Sequence, residues 1–159
     1  MGTRARVNVF NGNQILVSIY RQMDGYPDSL GKELADFAGR FTIVNGIGVD
    51  DRENKNKANG MDCFAAQLIA ELKVNVSYAK HCGVIGSVYI RDTGPESHGE
   101  EYVYNLKEQN GQVHMTILEG CMTAFGCPGD SEAEMKTLWS GLAGDFKLED
   151  IEKEEEDVA

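Results

Sequence analysis

Apolar residues recur along this chain with two periods, and the switches between them mark its elements. Residues 7–19, "VNVFNGNQILVSI", alternate on either side of Asn11-Gly12, a dipeptide that favours a tight hairpin between two strands. Val7 and Val9 face one way, and Ile15, Val17 and Ile19 share a face on the return strand. The period changes after "MDGYP". Asp28 or Ser29 can cap a helix running to about Ala38, with Leu30, Leu34 and Phe37 as its apolar stripe and Gly39 as its stop.

"RFTIV" reads as a short strand or extended link, and "NGIGVDDRENKNKANG" as a long polar surface loop. Asn59 is then an N-cap for a second helix, where Met61, Ala65, Leu68, Ile69 and Leu72 recur at helical spacing. Three strands follow, "VIGSVYIR", "EYVYNLK" and "QVHMTIL", the last two flanking "EQNG" as a second hairpin. In "SEAEMKTLW", Ser131 and Glu134 have capping-box spacing, which predicts a closing helix. Hairpins with helices set apart predict an α+β fold, an antiparallel sheet of about five to six strands with helices packed on it.

Length and charge refine the picture. A chain of 159 residues fits one domain able to bury roughly 70% of its unfolded surface without disulfides or metal. The net charge of −11 is uneven: residues 145–159 hold eight acids and two lysines. The expected division is a domain over 1–144 and a solvated acidic tail over 145–159. Such a charge repels a DNA or RNA backbone, whereas a few arginines can still hold a small anion locally. No apolar run approaches a membrane span and no secretory segment opens the chain, so the cytoplasm is the expected compartment.

Catalytic patterns are missing from the sequence. It has no nucleophile elbow, phosphate-binding P-loop, dinucleotide fingerprint or metalloprotease pair. His81, His98 and His114 are far apart, and Glu100 and Glu101 alternate to opposite faces. Cys63, Cys82, Cys121 and Cys127 form no CxxC pair and read as reduced thiols; a zinc site built from His81-Cys82 lacks supporting spacing. The chain reads as a binder without cofactor, not as an enzyme.

Three corners suit a polar ligand. One is the helix start at Asn59-Gly60, where backbone N–H groups can meet an anion; its ordinary alternative is a plain cap. The second is Arg21 with Asp24 and Tyr26, a guanidinium and an aromatic face on one turn, against a salt bridge and a packed turn. The third is Arg91 at a strand end, which mirrors Arg21, so that the two could share a diphosphate. Tyr102, on one strand face with Tyr104, could stack on a base, although half-buried sheet tyrosines are common.

The stretches "IYRQMDGYPDSLGKELADF", "NGMDCFAAQLIAEL" and "EEYVYNL" resemble a family of small phage and prophage proteins, over roughly residues 15–106. Size, element order and strand-terminal arginines are also similar to the Thoeris anti-defence type 1 proteins. That resemblance implies a sponge that sequesters cyclic ADP-ribose-type or cyclic oligonucleotide signals uncleaved in the host bacterial cytoplasm. It further implies a homo-oligomer with pockets at subunit contacts, and Arg21 and Arg91 as phosphate grips. The acidic tail has no counterpart in the pattern. A different expectation follows from charge alone: an acidic inhibitor or nucleic-acid mimic that binds a host defence protein.

Overall fold

Glycine in the left-handed region lets a strand reverse within two residues, and two such reversals organise the sheet. The computed structural model describes residues 2–48, 56–74, 88–93, 99–120 and 135–151. Strands β1 (Ala5–Asn11) and β2 (Gln14–Arg21) pair antiparallel around Gly12-Asn13, with Gly12 at φ 57°. The turn thus sits one residue later than Asn11-Gly12, with glycine at its first central position. Asn110 and Gly111 both take positive φ in the second hairpin, between the last two strands named in the sequence.

Between β2 and the first helix the chain makes a wide π-type turn over Pro27–Gly31, which continues into α1 (Lys32–Ala38). Neither Asp28 nor Ser29 caps it. The helical turn starts at Pro27, whose fixed φ suits a first position, and Tyr26 before it supplies no side-chain cap. The short strands β3 (Thr42–Val44) and β4 (Lys57–Asn59) form a separate parallel pair and lead into α2 (Gly60–Val74). Then come β5 (Val88–Arg91), β6 (Tyr102–Gln109), β7 (Gln112–Glu119) and β8 (Lys136–Leu142).

The large sheet has the order β5-β2-β1-β6-β7-β8. Four of its pairings are antiparallel, but the central β1–β6 pair is parallel. The α+β class, the six strands and the two hairpins agree with the sequence reading, and the one parallel pair refines its antiparallel description. β5 and β6 run the same way on opposite sides of the first hairpin, so they cannot be partners of a hairpin turn.

Leu30, Leu34 and Phe37 of the first helical segment, and Met61, Ala65, Leu68 and Leu72 of α2, are buried as their spacing predicts. They meet Val7, Val9, Ile19, Tyr104, Leu106, Met115 and Ile117 from one face of the sheet, with the rings of Phe37, Phe41 and Phe64 clustered among them in tilted and edge-on contacts. The β1–β2 register shifts between Val9 and Phe10, so Ile15 pairs with Phe10 on the other face from Val17.

Two expectations move at the C-terminal end. Lys136–Leu142 is a strand, not a helix, because the free edge of β7 offers it a full hydrogen-bonded ladder; residues 131–134 lie outside the described residues. The ordered chain also passes residue 144. Phe146 is buried against Trp139 at 5.1 Å, Ile151 packs on the core, and residues 148–151 are helical. Apolar surface draws this segment in despite its acids. The rest of the acidic run, from residue 152, lies outside the described residues.

Candidate functional site

The turn after β2 is built from close approaches. Asp24 takes φ 55°, and Gly25 lies so near β1 that a Cβ there would come within 2.7 Å of the Ala5 Cβ. The Gly25 N–H donates to the Thr3 carbonyl at 3.0 Å, and the Tyr104 hydroxyl donates to the Gly25 carbonyl at 2.8 Å. Arg21 lies beneath this turn, 2% exposed. Its Nε donates to the Met23 carbonyl at 2.9 Å, and its two terminal nitrogens fork onto the Glu33 carboxylate at 2.8 and 3.2 Å. The guanidinium expected to grip a phosphate is therefore held by a carboxylate of α1.

Tyr26 stays partly exposed and donates to Asp24 at 3.3 Å; the neighbouring carboxylate, more than burial, holds its phenol above the ordinary range. Burial pushes the Tyr104 phenol well above its ordinary range, with Tyr102 and Asp28 adding to the shift and Arg21 opposing it. Tyr102 and Arg21 both pair with Ala5, from either side, so they share the helix-covered face. Arg21, Asp24, Tyr26 and Tyr102 are thus brought to one corner. Its chemistry closes the fold.

Arg91 is elsewhere. It pairs with Ser18, whereas Arg21 pairs with Val88, three positions along the same ladder. An odd offset reverses the side, so the two arginines point to opposite faces and cannot share one diphosphate. Asn59 and Gly60 form a third location, at the junction of β4 and α2. The Asn59 Oδ1 accepts the Gly46 N–H at 2.7 Å and ties down the preceding loop, while Gly60 has φ 74° and open space around it.

On its own face Arg91 lies over the Tyr20 ring, 4.6 Å from the centroid. Tyr89, two residues before it, is 47% exposed with its ring 6.2 Å from that of Tyr20. Lys73, at the end of α2, reaches within 5.9 Å of the Tyr89 ring centre. The Tyr20 hydroxyl bonds the Gln22 side chain at 2.8 Å. Burial raises the Tyr20 phenol, and nearby Arg4 and Arg91 pull it back.

A concavity of about 330 Å³ opens here, bounded by Gln22, Tyr89, Ile90 and Arg91. The exposed Tyr89 ring and the Arg91 guanidinium line it, Arg91 backed by the buried Tyr20 ring with Lys73 and Arg4 nearby, which makes this the corner best equipped for an aromatic anion. Sequence reasoning found Arg91 but missed Tyr20, Gln22, Lys73 and Tyr89. The i, i+2 spacing of Tyr89 and Arg91 places both on one face of a strand and was a readable signal.

Among the described residues no group of three metal-ligating side chains occurs, and Cys63 is free, receiving the Gln67 amide at 3.3 Å. Cys82, Cys121, Cys127, His81 and His98 lie outside the described residues. Glu100 is not a site carboxylate: it is buried and ion-paired with Arg6 at 3.1 Å. No helix among the described residues is long and apolar enough to cross a membrane. Compared with family models, curated proteins and solved structures, the chain matches none.

Proposed function

We propose that the chain binds a nucleotide-derived signal of the cyclic ADP-ribose type at the Tyr20–Tyr89–Arg91 edge and sequesters it intact. The observation that carries this reading is the Arg91 guanidinium, stacked on Tyr20 beside an exposed Tyr89 over an open concavity. A nucleotide needs both parts: a flat face for its base and a pre-oriented cation for its phosphate. Cation–π stacking fixes the guanidinium plane before ligand arrives, so less side-chain entropy is lost on binding.

At about 330 Å³ the hollow lies at the small end of ligand sites, too shallow to enclose a ligand of the cyclic ADP-ribose type. A second copy of the chain docked along β5 would complete it. β5 is an edge strand with Ile90 66% exposed, a surface that a partner strand can use. The family resemblance of residues 15–106 supplies the setting: a phage protein in the bacterial cytoplasm that withholds an immune signal from its effector.

Incubation with cyclic ADP-ribose followed by heat denaturation tests the reading. Intact ligand released from the protein is expected; a cleaved product would make it a hydrolase, and no bound ligand would remove the reading. By calorimetry, Arg91→Ala is expected to weaken binding by about 1.5–3 kcal/mol, roughly ten- to a hundredfold.

A further inference from the structure

A row of polar residues crosses the sheet on the face opposite the helices. Ser18 of β2 pairs with Asn8 of β1, Asn8 with Asn105 of β6, Asn105 with Thr116 of β7, and Thr116 with Ser140 of β8. Paired residues share a face, so these side chains stand in one line. The Ser18 hydroxyl donates to Asn8 Oδ1 at 2.6 Å, and Asn8 Nδ2 donates to Asn105 Oδ1 at 2.9 Å. At the far end the Thr116 and Ser140 hydroxyls bond each other at 2.9 Å.

The chain of bonds is interrupted between Asn105 and Thr116, and there the surface is hollow. A groove of about 440 Å³ opens over Asn105, Lys107, His114, Thr116 and Ser140. Ser18 and Asn8 are fully buried. In this bonding pattern Asn105 uses its amide oxygen toward Asn8, which leaves its NH₂ group available at the groove that Asn105 lines. Burying two polar side chains is costly unless each is bonded, and their bonds here hold the Asn105 side chain in place at the groove.

In the next row Lys107 pairs with His114 across β6 and β7. The Lys107 ammonium is held over the Phe10 ring, 4.3 Å from its centre. Glu108, the carboxylate at the rim, accepts the Gly111 N–H at 2.6 Å and so is turned to its own hairpin. The groove thus offers an amide NH₂, an ammonium, an imidazole and two hydroxyls.

We infer that this groove is an oxyanion site that takes a phosphoryl group, free or carried on a small sugar or nucleoside. It is separate from the Tyr20–Tyr89–Arg91 edge and does not depend on the function proposed there.

The test is an NMR titration of the ¹⁵N-labelled full chain with inorganic phosphate, ribose 5-phosphate and ribose. Phosphate and ribose 5-phosphate should shift the Asn105 side-chain NH₂ and the amides of Lys107 and Thr116, and ribose should not. A stronger response to ribose 5-phosphate makes the ligand an ester, and an equal response makes it the free anion; both support the site. Asn105→Asp keeps the shape and the acceptor for Asn8 but faces the groove with negative charge. It should weaken binding by about tenfold or more, as should Lys107→Gln. Ser140→Ala, at an exposed edge position, reads the same groove if the aspartate variant does not fold. Equal shifts with ribose, no shifts at all, shifts confined to Tyr89 and Arg91, or undiminished affinity in the folded variants would each overturn the inference.

Discussion

Arg21 and Arg91 end neighbouring strands, and an aspartate follows each within three residues, yet the fold uses them in opposite ways. Arg21 points to the helix-covered face, where Glu33 and the Met23 carbonyl take its nitrogens. Arg91 points to the other face and rests on Tyr20 in the open. The difference arises from register alone: three positions along one ladder, an odd number, reverse the side. A sequence motif dense in polar and aromatic groups can therefore be a structural clasp, while its less marked counterpart keeps its cation exposed among the described residues. Geometry of burial separates them.

The sharpest way to break this contrast is to remove each arginine in turn. Arg21→Ala removes a buried guanidinium and empties the space under the turn, while the Glu33 it leaves behind is 34% exposed, so a stability loss of about 2–3 kcal/mol is expected. Arg91→Ala should change stability by about 1 kcal/mol or less, the worth of an exposed cation–π contact. Urea unfolding of both variants measures the two values. Equal losses would mean that the clasp and the open edge are energetically alike, and the distinction would fall.

How much of this was legible in the residues depends on the range of the interaction. Asn-Gly hairpins and the α2 stripe are local, and they appear where the sequence puts them, within a residue. The last strand was hidden because its cause is remote. Ser131 and Glu134 have helix-cap spacing, but Lys136–Leu142 gains a ladder on β7 that nothing nearby announces. The clasp was half visible: "DGYP" marked a special turn, with Gly25 forced by its approach to Ala5. That Glu33, twelve residues on, would claim Arg21 follows only once α1 is docked on the sheet. The Tyr20–Arg91 contact needed the β2–β5 register, a pairing of distant segments that alternation alone cannot supply.

The clasp itself can be probed through Tyr104. Tyr104→Phe leaves the buried Gly25 carbonyl without its donor and should cost about 1–3 kcal/mol at neutral pH. The same hydroxyl gives the clasp an alkaline signature. Burial holds its phenol protonated well above the ordinary range, so as pH climbs past that range the unfolded chain loses a proton that the fold keeps. Stability therefore falls with rising pH there, and the contribution is fully present below it. In the phenylalanine variant the fall should be shallower, with the raised Tyr20 retaining part of it. Chemical denaturation across the alkaline range checks the slope; an unchanged slope would place the ionisation elsewhere.

The smallest expected effect sharpens the other half of the comparison. Lys73 sits 5.9 Å from the Tyr89 ring centre at the C-terminal end of α2, an exposed contact near the outer limit of such pairs. Lys73→Gln removes one charge while keeping most of the side-chain length, so stability should change by about 0.5 kcal/mol or less. Ligand affinity at the edge should respond more than stability does. A cation beside the concavity attracts an anion through partly screened solvent, and its removal should weaken binding a few-fold at low salt. That loss should vanish as ionic strength shortens the screening length below about 8 Å. Arg91→Ala should behave differently, with a deficit that persists at high salt, because its contact is direct and charge-assisted. A Lys73→Gln deficit that also persisted at high salt would move the lysine into direct contact with the ligand and extend the site from the strand edge onto the end of α2.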